Sequence, residues 1–318
     1  MAAIFWDESV NIALREALGP AIPVINRLTH LGDGPVLIAM AVWIYWFGGA
    51  ETRRDRAFVI AVGVAAFALS VGIKGIVGID RPDLAFAPPD YPGYSFPSAH
   101  ALGAAAFYGA LAVTIQRRSR RLRYGLAGIA IAAVAISRLT LGVHYLGDVL
   151  VGVLLGLGLV WLGVRWRSAN EFRPGLVFIL ATVIALVTIV LGSRQFVSMV
   201  IGSGIGGAIG WYWVDGKPIT DSGAAVFVTG LIAFIGLGVA AAIPLLVGVP
   251  VPGAPSPVLF LAETVAYLLI VAFVIALPAI AVAVEDDPRV RKLQRVLPFR
   301  RRRVQFDAVD QEGPFTDD

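Results

Sequence analysis

Six side chains at fixed intervals could do chemistry together in this chain. Lys74 precedes Arg81-Pro82. Ser95-Phe96-Pro97-Ser98-Ala99-His100 follows, and then Ser137-Arg138, His144 and Asp148. Three cations, two imidazoles and a carboxylate thus recur inside an otherwise apolar chain. Ionisable groups at the edge of a bilayer are costly and mark function by default. The set suits the handling of a phosphate group: cations for the oxygens, an imidazole to attack or donate a proton, and a carboxylate to orient it.

Each piece has a local logic. Lys74 and Arg81 are seven residues apart, two helical turns, so both can face one way from a helix end that Pro82 then stops. Pro97-Ser98-Ala99-His100 reads as a helix start, with Ser98 able to cap it. Free N–H groups at such a start attract anions. His144 and Asp148 stand at i and i+4, so the carboxylate can bond one ring nitrogen and leave the other free. Asp83–Phe96 is rich in proline and aromatics, too irregular to span, and reads as an outer loop or lip above the site.

The elements that position these groups are membrane helices. Apolar residues make up 58% of the 318, mean hydropathy is +0.79, and apolar runs long enough to cross a bilayer recur along the chain. The expected fold is all-α, a polytopic membrane helical bundle of about nine transmembrane spans. These are placed near 34–50, 57–79, 99–116, 124–142, 147–165, 174–193, 196–213, 222–247 and 257–284. Residues 1–33 read as an N-terminal amphipathic, interfacial segment. Residues 34–166 read as a five-span core carrying the motifs, 174–284 as a four-span region of unassigned role, and 285–318 as a basic-then-acidic tail with a disordered end. No removable signal peptide is expected. Cysteine is absent, which excludes disulfide and thiol chemistry.

Charge placement sets the orientation. Of the 26 lysines and arginines, 20 fall in loops that alternate spans place on one side, including Arg53, Arg54, Arg56, Arg165, Arg173 and Lys217. The positive-inside rule makes that side cytoplasmic and puts the motifs on the non-cytoplasmic face of a multi-pass cell-membrane protein. Trp43, Trp46, Trp161, Trp166, Trp211 and Trp213 gather near the same ends, as an aromatic belt would. Basic clusters that abut apolar spans speak for topology, and no nucleic-acid partner is expected.

In this order, the three segments resemble the signature of the type-2 phosphatidic acid phosphatase superfamily. That family comprises integral-membrane lipid-phosphate and polyprenyl-pyrophosphate phosphatases related to vanadium haloperoxidases. The likeness covers roughly residues 24–166 and departs at Ala99, where the family has glycine. It implies a membrane phosphatase hydrolysing a lipid phosphate or polyprenyl pyrophosphate. His144 would attack phosphorus to give a phosphohistidine, Asp148 would hold its ring, and His100 would serve as acid and then base. Lys74, Arg81, Ser98, Ala99 and Arg138 would cradle the phosphoryl oxygens, with no metal and no cofactor. The partners so implied are a lipid phosphate and the bilayer, with oligomeric state left open. Phosphotransfer to an alcohol is the alternative chemistry, and a membrane transporter or a silent binding scaffold the alternative classes. The ionisable residues gather at one interface and no inverted repeat is evident, which favours the enzyme.

The remaining spans carry Gly202, Gly204, Gly206, Gly207 and Gly210, a density that points to close helix packing or an oligomer interface, with a substrate groove as the sharper reading. Glu263 is an intramembrane acid whose partner the sequence does not name.

Overall fold

The computed structural model describes residues 5–48, 52–83, 93–116, 118–168, 171–193, 196–220, 222–246 and 257–296. The helices are α1 (Ser9–Leu18), α2 (Ile22–Leu28), α3 (Gly34–Phe47), α4 (Arg53–Val77), α5 (Ala99–Thr114), α6 (Arg120–Thr140), α7 (Leu146–Arg165), α8 (Pro174–Val190), α9 (Val197–Val214), α10 (Gly223–Leu246), α11 (Pro257–Ile280) and α12 (Pro288–Val296). No strand occurs among the described residues. The protein is a multi-pass helical membrane protein.

Every one of the nine expected spans coincides with a helix, α3 to α11. Among the described residues five helices are long and apolar enough to cross a bilayer by themselves, or six spans if α1–α3 is counted as one span bent by 53°. The count of nine is therefore approximate. Helix α3 has only 14 residues, and the 16 residues of α5 reach about 24 Å, against about 30 Å of hydrocarbon.

Helix α4 is the central wall. It opens with a reciprocal cap, Asp55 N–H to Thr52 Oγ1 at 3.1 Å and Thr52 N–H to Asp55 Oδ2 at 3.2 Å, which satisfies two orphan donors at once. Arg56 is buried and donates to the carbonyls of Tyr45 (3.2 Å) and Gly48 (2.7 Å), fixing the turn from α3. An alanine-rich face, Ala57, Ala61, Ala65 and Ala68, is fully buried and lets neighbouring helices close in. At its far end Gly78 takes φ +62°, a left-handed cap that ends the helix one turn past Lys74.

Close packing also unites α5 with α7. A Cβ on Gly152 would lie 2.8 Å from the Ser98 carbonyl, and one on Gly156 would lie 2.5 Å from that of Leu102. This small-xxx-small contact sets the start of α5 beside the start of α7.

Helices α8 and α9 pack on α4, where Gly72 faces Thr188 and Gly75 faces Ser193. The glycine stripe of α9 is an internal seam: Gly202, Gly206 and Gly210 press on the backbone of Thr264, Leu268 and Ala272 in α11. Glu263 finds its partner there, accepting from Ser198 Oγ at 2.7 Å. Trp211, expected in the aromatic belt, is buried under Arg53 and Arg54, while Trp43 and Trp161 are exposed as a belt requires. Most of the irregular lip, residues 84–92, and the tail beyond 296 lie outside the described residues.

Candidate active site

The site forms where α4 ends, α5 and α7 begin, and α6 turns towards α7. Asp148 occupies the third position of α7, where it accepts from the N–H of Tyr145 at 2.9 Å and caps the helix. That bond aims its carboxylate back at His144, with Oδ2 3.3 Å from Nδ1. Ser95 Oγ lies between them, donating to Asp148 Oδ2 and 3.2 Å from His144 Nδ1. His144, Asp148 and Ser95 are all buried.

The far side of the same ring fixes its tautomer. Arg81 Nη1 stands 3.2 Å from His144 Nε2 and also donates to the Val143 carbonyl at 2.7 Å. A guanidinium has donors only, so Nε2 must accept and the ring proton sits on Nδ1, facing Ser95 and Asp148. The Nε2 lone pair is thereby directed at a cation, where a phosphoryl group would lie.

Backbone carbonyls place the other cations. Lys74 Nζ donates to those of Tyr94 and Ser95, the latter at 3.0 Å, and Arg81 Nε to that of Gly93 at 3.0 Å. Arg138 is buried at the end of α6 and donates to Thr29 Oγ1 at 2.7 Å. Ser98 caps α5, its Oγ accepting from the Ala101 N–H at 3.5 Å, while its own N–H goes to the Asp148 carbonyl at 3.0 Å. The substituted Ala99 is exposed in the first turn, so its methyl meets no crowding there. His100 follows on the same turn.

Burial first, and then the charges of Arg81, Arg138 and Lys74, hold His144 well below the ordinary 6.5. The imidazole is thus neutral and nucleophilic at neutral pH. Three cations face two carboxylates, Asp148 and Asp33, a balance that favours an anionic ligand. Among the described residues no three His, Asp or Glu side chains are grouped as metal ligands would be.

The structure brings together every residue singled out from the motifs: Lys74, Arg81, Ser98, Ala99, His100, Arg138, His144 and Asp148. The sequence model of the PAP2 superfamily matches residues 54–172. Phosphatidylglycerophosphatase B of Bacillus subtilis is 33% identical over 148 residues, which are 44% of this chain and 71% of that protein. The chain belongs to the PAP2 superfamily. The decaprenylphosphoryl-5-phosphoribose phosphatase of Mycobacterium tuberculosis is 36% identical over 162 residues, covering 47% of this chain and 84% of the relative. Among solved structures, the transmembrane PAP2-type phosphatidylglycerolphosphate phosphatase of Bacillus subtilis aligns with 53% of this chain and 92% of its own. It is 29% identical, with a TM-score of 0.45. These PAP2 relatives are phosphatases, and the activity class of this chain is the same.

Four further residues adjoin these groups. Ser95 lies within its motif. Thr29 and Asp33 come from the turn before α3, and Asn11 from α1. Asn11 is fully buried and its Nδ2 donates to the carbonyls of Leu139 (2.8 Å) and His144 (2.9 Å). The N-terminal segment is helical, and Asn11 on α1 ties it to the loop that carries His144. One signal pointed that way: Asp33 opens the first span on the face that charge placement gives to the motifs.

Proposed function

We propose that this protein hydrolyses a lipid phosphate or polyprenyl pyrophosphate at the non-cytoplasmic membrane face, through a phosphohistidine on His144 and without a metal. The observation that carries the reading is the ring of His144: its Nδ1 is held by Asp148 and Ser95, and its Nε2 lone pair faces Arg81.

In the first half-reaction Nε2 forms a bond to phosphorus as the bond to the leaving oxygen breaks. His100 gives that oxygen a proton. Asp148 stabilises the charge that develops on the His144 ring. In the second half, water attacks phosphorus, its proton passes to His100, and the N–P bond breaks to release phosphate. Lys74, Arg81 and Arg138, with Ser98 and the first N–H groups of α5, hold the equatorial oxygens. Phosphoryl transfer asks mainly for such placement and charge. The three cations fill the part a metal ion plays elsewhere, and the site's two carboxylates are committed to histidines. Residues 34–166 act as the catalytic core in this reading, with 1–33 as its buttress.

The named relatives act on phosphatidylglycerophosphate, a decaprenylphosphoryl sugar phosphate and, in the 30% identical lipid A 1-phosphatase of Rhizobium johnstonii, lipid A. All join a phosphate to a large lipid anchor. Phosphate release by the full chain in detergent with EDTA, across phosphatidylglycerol phosphate, phosphatidic acid and polyprenyl pyrophosphate, tests the reading. Release that survives EDTA and is abolished by His144→Ala is expected. Activity retained by that variant, or lost to EDTA, would overturn it. Orientation is checked separately, because the chain has no cysteine. An impermeant thiol reagent on intact cells should label Asp80→Cys but leave Arg118→Cys untouched.

A further inference from the structure

A second carboxylate–imidazole pair stands in the site. Asp33 Oδ1 lies 2.8 Å from His100 Nε2, and its other oxygen lies 2.6 Å from His30 Nδ1. Asp33 follows the 3-10 turn Thr29–Gly32, which three contacts press onto the site. Arg138 donates to Thr29 Oγ1 at 2.7 Å, and Tyr108 Oη donates to the Leu31 carbonyl at 2.9 Å. Gly32 lies so close to α5 and α6 that an added Cβ would come within 2.6 Å of Val134 and 3.3 Å of His100. So firm a seating is unnecessary for a chance surface ion pair. Asp33 lies outside the residues matched by the family model, 54–172, and belongs to none of the three motifs.

We propose that Asp33 is a positioning residue for the leaving-group acid: it fixes the His100 ring and supplies the negative charge that favours its protonated form. The proposal rests on the reading of His100 as that acid. The groups whose charge bears on His100 are Arg138, Arg81, Asp33 and the His144 ring, with His30 behind Asp33. Two permanent cations oppose an imidazolium, and Asp33 is the carboxylate in hydrogen-bond contact that favours it. A carboxylate only accepts, so His100 Nε2 keeps its hydrogen towards Asp33 and Nδ1 becomes the nitrogen of exchange. The Nδ1 proton goes to the leaving oxygen as the P–O bond breaks, and a proton from water returns to Nδ1 in the second half. Asp33 stays ionised throughout.

The test uses the full-length protein in detergent and two substrates with different leaving groups. Phosphatidylglycerol phosphate expels an alkoxide that needs the acid, whereas p-nitrophenyl phosphate expels a phenolate that does not. For Asp33→Asn, first-turnover release from the lipid should fall about ten- to hundredfold, short of the about 10²–10⁴ typical of losing an acid outright. The first-turnover burst of p-nitrophenol should change less than about threefold on the same reasoning. The basic limb of the lipid pH profile should move to lower pH, and adding Asp33→Asn to His100→Ala should cost nothing further. Equal losses on both substrates, an unmoved basic limb, or a full extra loss in the double variant would overturn the inference. Should Asp33→Asn not fold by thermal unfolding, Asp33→Glu enters the same cycle, where it should retain the basic limb and lose rate on the lipid only. Failure of the underlying reading looks different: His100→Ala would then keep its turnover of the lipid whatever Asp33 does.

Discussion

Replacing Asn11 by alanine tests whether the N-terminal segment is working machinery. The side chain joins α1 to two carbonyls far along the chain, that of Leu139 in the last turn of α6 and that of His144 itself. A net hydrogen bond contributes about 0.5–1.5 kcal/mol, and a buried acceptor left bare costs about 1–3 kcal/mol. Leu139 O keeps a second donor, the N–H of Gly142 at 2.9 Å, so the larger part of the loss falls on His144. Asn11 Oδ1 is itself buried without a hydrogen-bond partner, and its removal returns some of that cost. A destabilisation of about 1–2 kcal/mol follows, equivalent to a factor of about 5–30 in the population of the ordered loop. Because the loop carries His144, the nucleophile of the proposed mechanism, the drop should appear in kcat more than in KM. Asn11→Asp should be worse, since it turns an oxygen towards two carbonyls where a donor stood. The assay is kcat and KM on a lipid phosphate, paired with thermal unfolding in the same detergent. A kcat within twofold of the parent for both variants, with folding intact, would refute the buttress.

Ser95→Ala removes the hydroxyl between His144 and Asp148, and kcat should fall by about tenfold, the cost of one hydrogen bond to a charged group; stopped-flow phosphate release measures it, and an unchanged rate would discount Ser95. Gly32→Val should collide with Val134 and His100 and lower both thermal stability and kcat, whereas Gly34→Ala, where an added Cβ meets nothing within 4 Å, should leave both intact. His144, held below its ordinary value, stays neutral and active as pH falls past 6.5. Removing a cation in Arg81→Gln should raise that pKa and shift the acid limb of kcat/KM upward; a limb that stays or moves down contradicts the assignment. The same depression has a stability consequence. Between the folded and unfolded pKa values the unfolded chain binds a proton that the native chain does not, so stability is lost as pH drops below about 6.5.

The three motifs were legible because each is local. A cation pair two turns apart, a capped helix start and an i,i+4 imidazole–carboxylate pair announce their geometry through spacing alone, and apolar length announces the helices. Thr29, Asp33 and Asn11 carry no such spacing. Each is a lone polar residue in a short amphipathic stretch, where it reads as solvent-facing until tertiary packing turns it inward. Asn11 and His144 are separated by 133 positions, and no local rule links them. The glycines of α9 were readable as a packing stripe, but not that α11 would fill it. Trp211 looked like a belt residue because indole is common at interfaces, and only the placement of Arg53 and Arg54 shows it to be enclosed.

The brevity of α5 has a consequence for the lipid itself. A helix some 6 Å shorter than the hydrocarbon it crosses puts its first N–H groups beneath the plane of the surrounding headgroups. Protein surrounds α5 on most sides, so the substrate must sink its phosphate below its neighbours to reach them. The tail stays in the lipid phase and only the headgroup changes depth. The depth to be crossed grows with the thickness of the surrounding hydrocarbon, so turnover becomes a function of bilayer thickness. Thinner membranes would hand the substrate over readily, and thicker ones would withhold it.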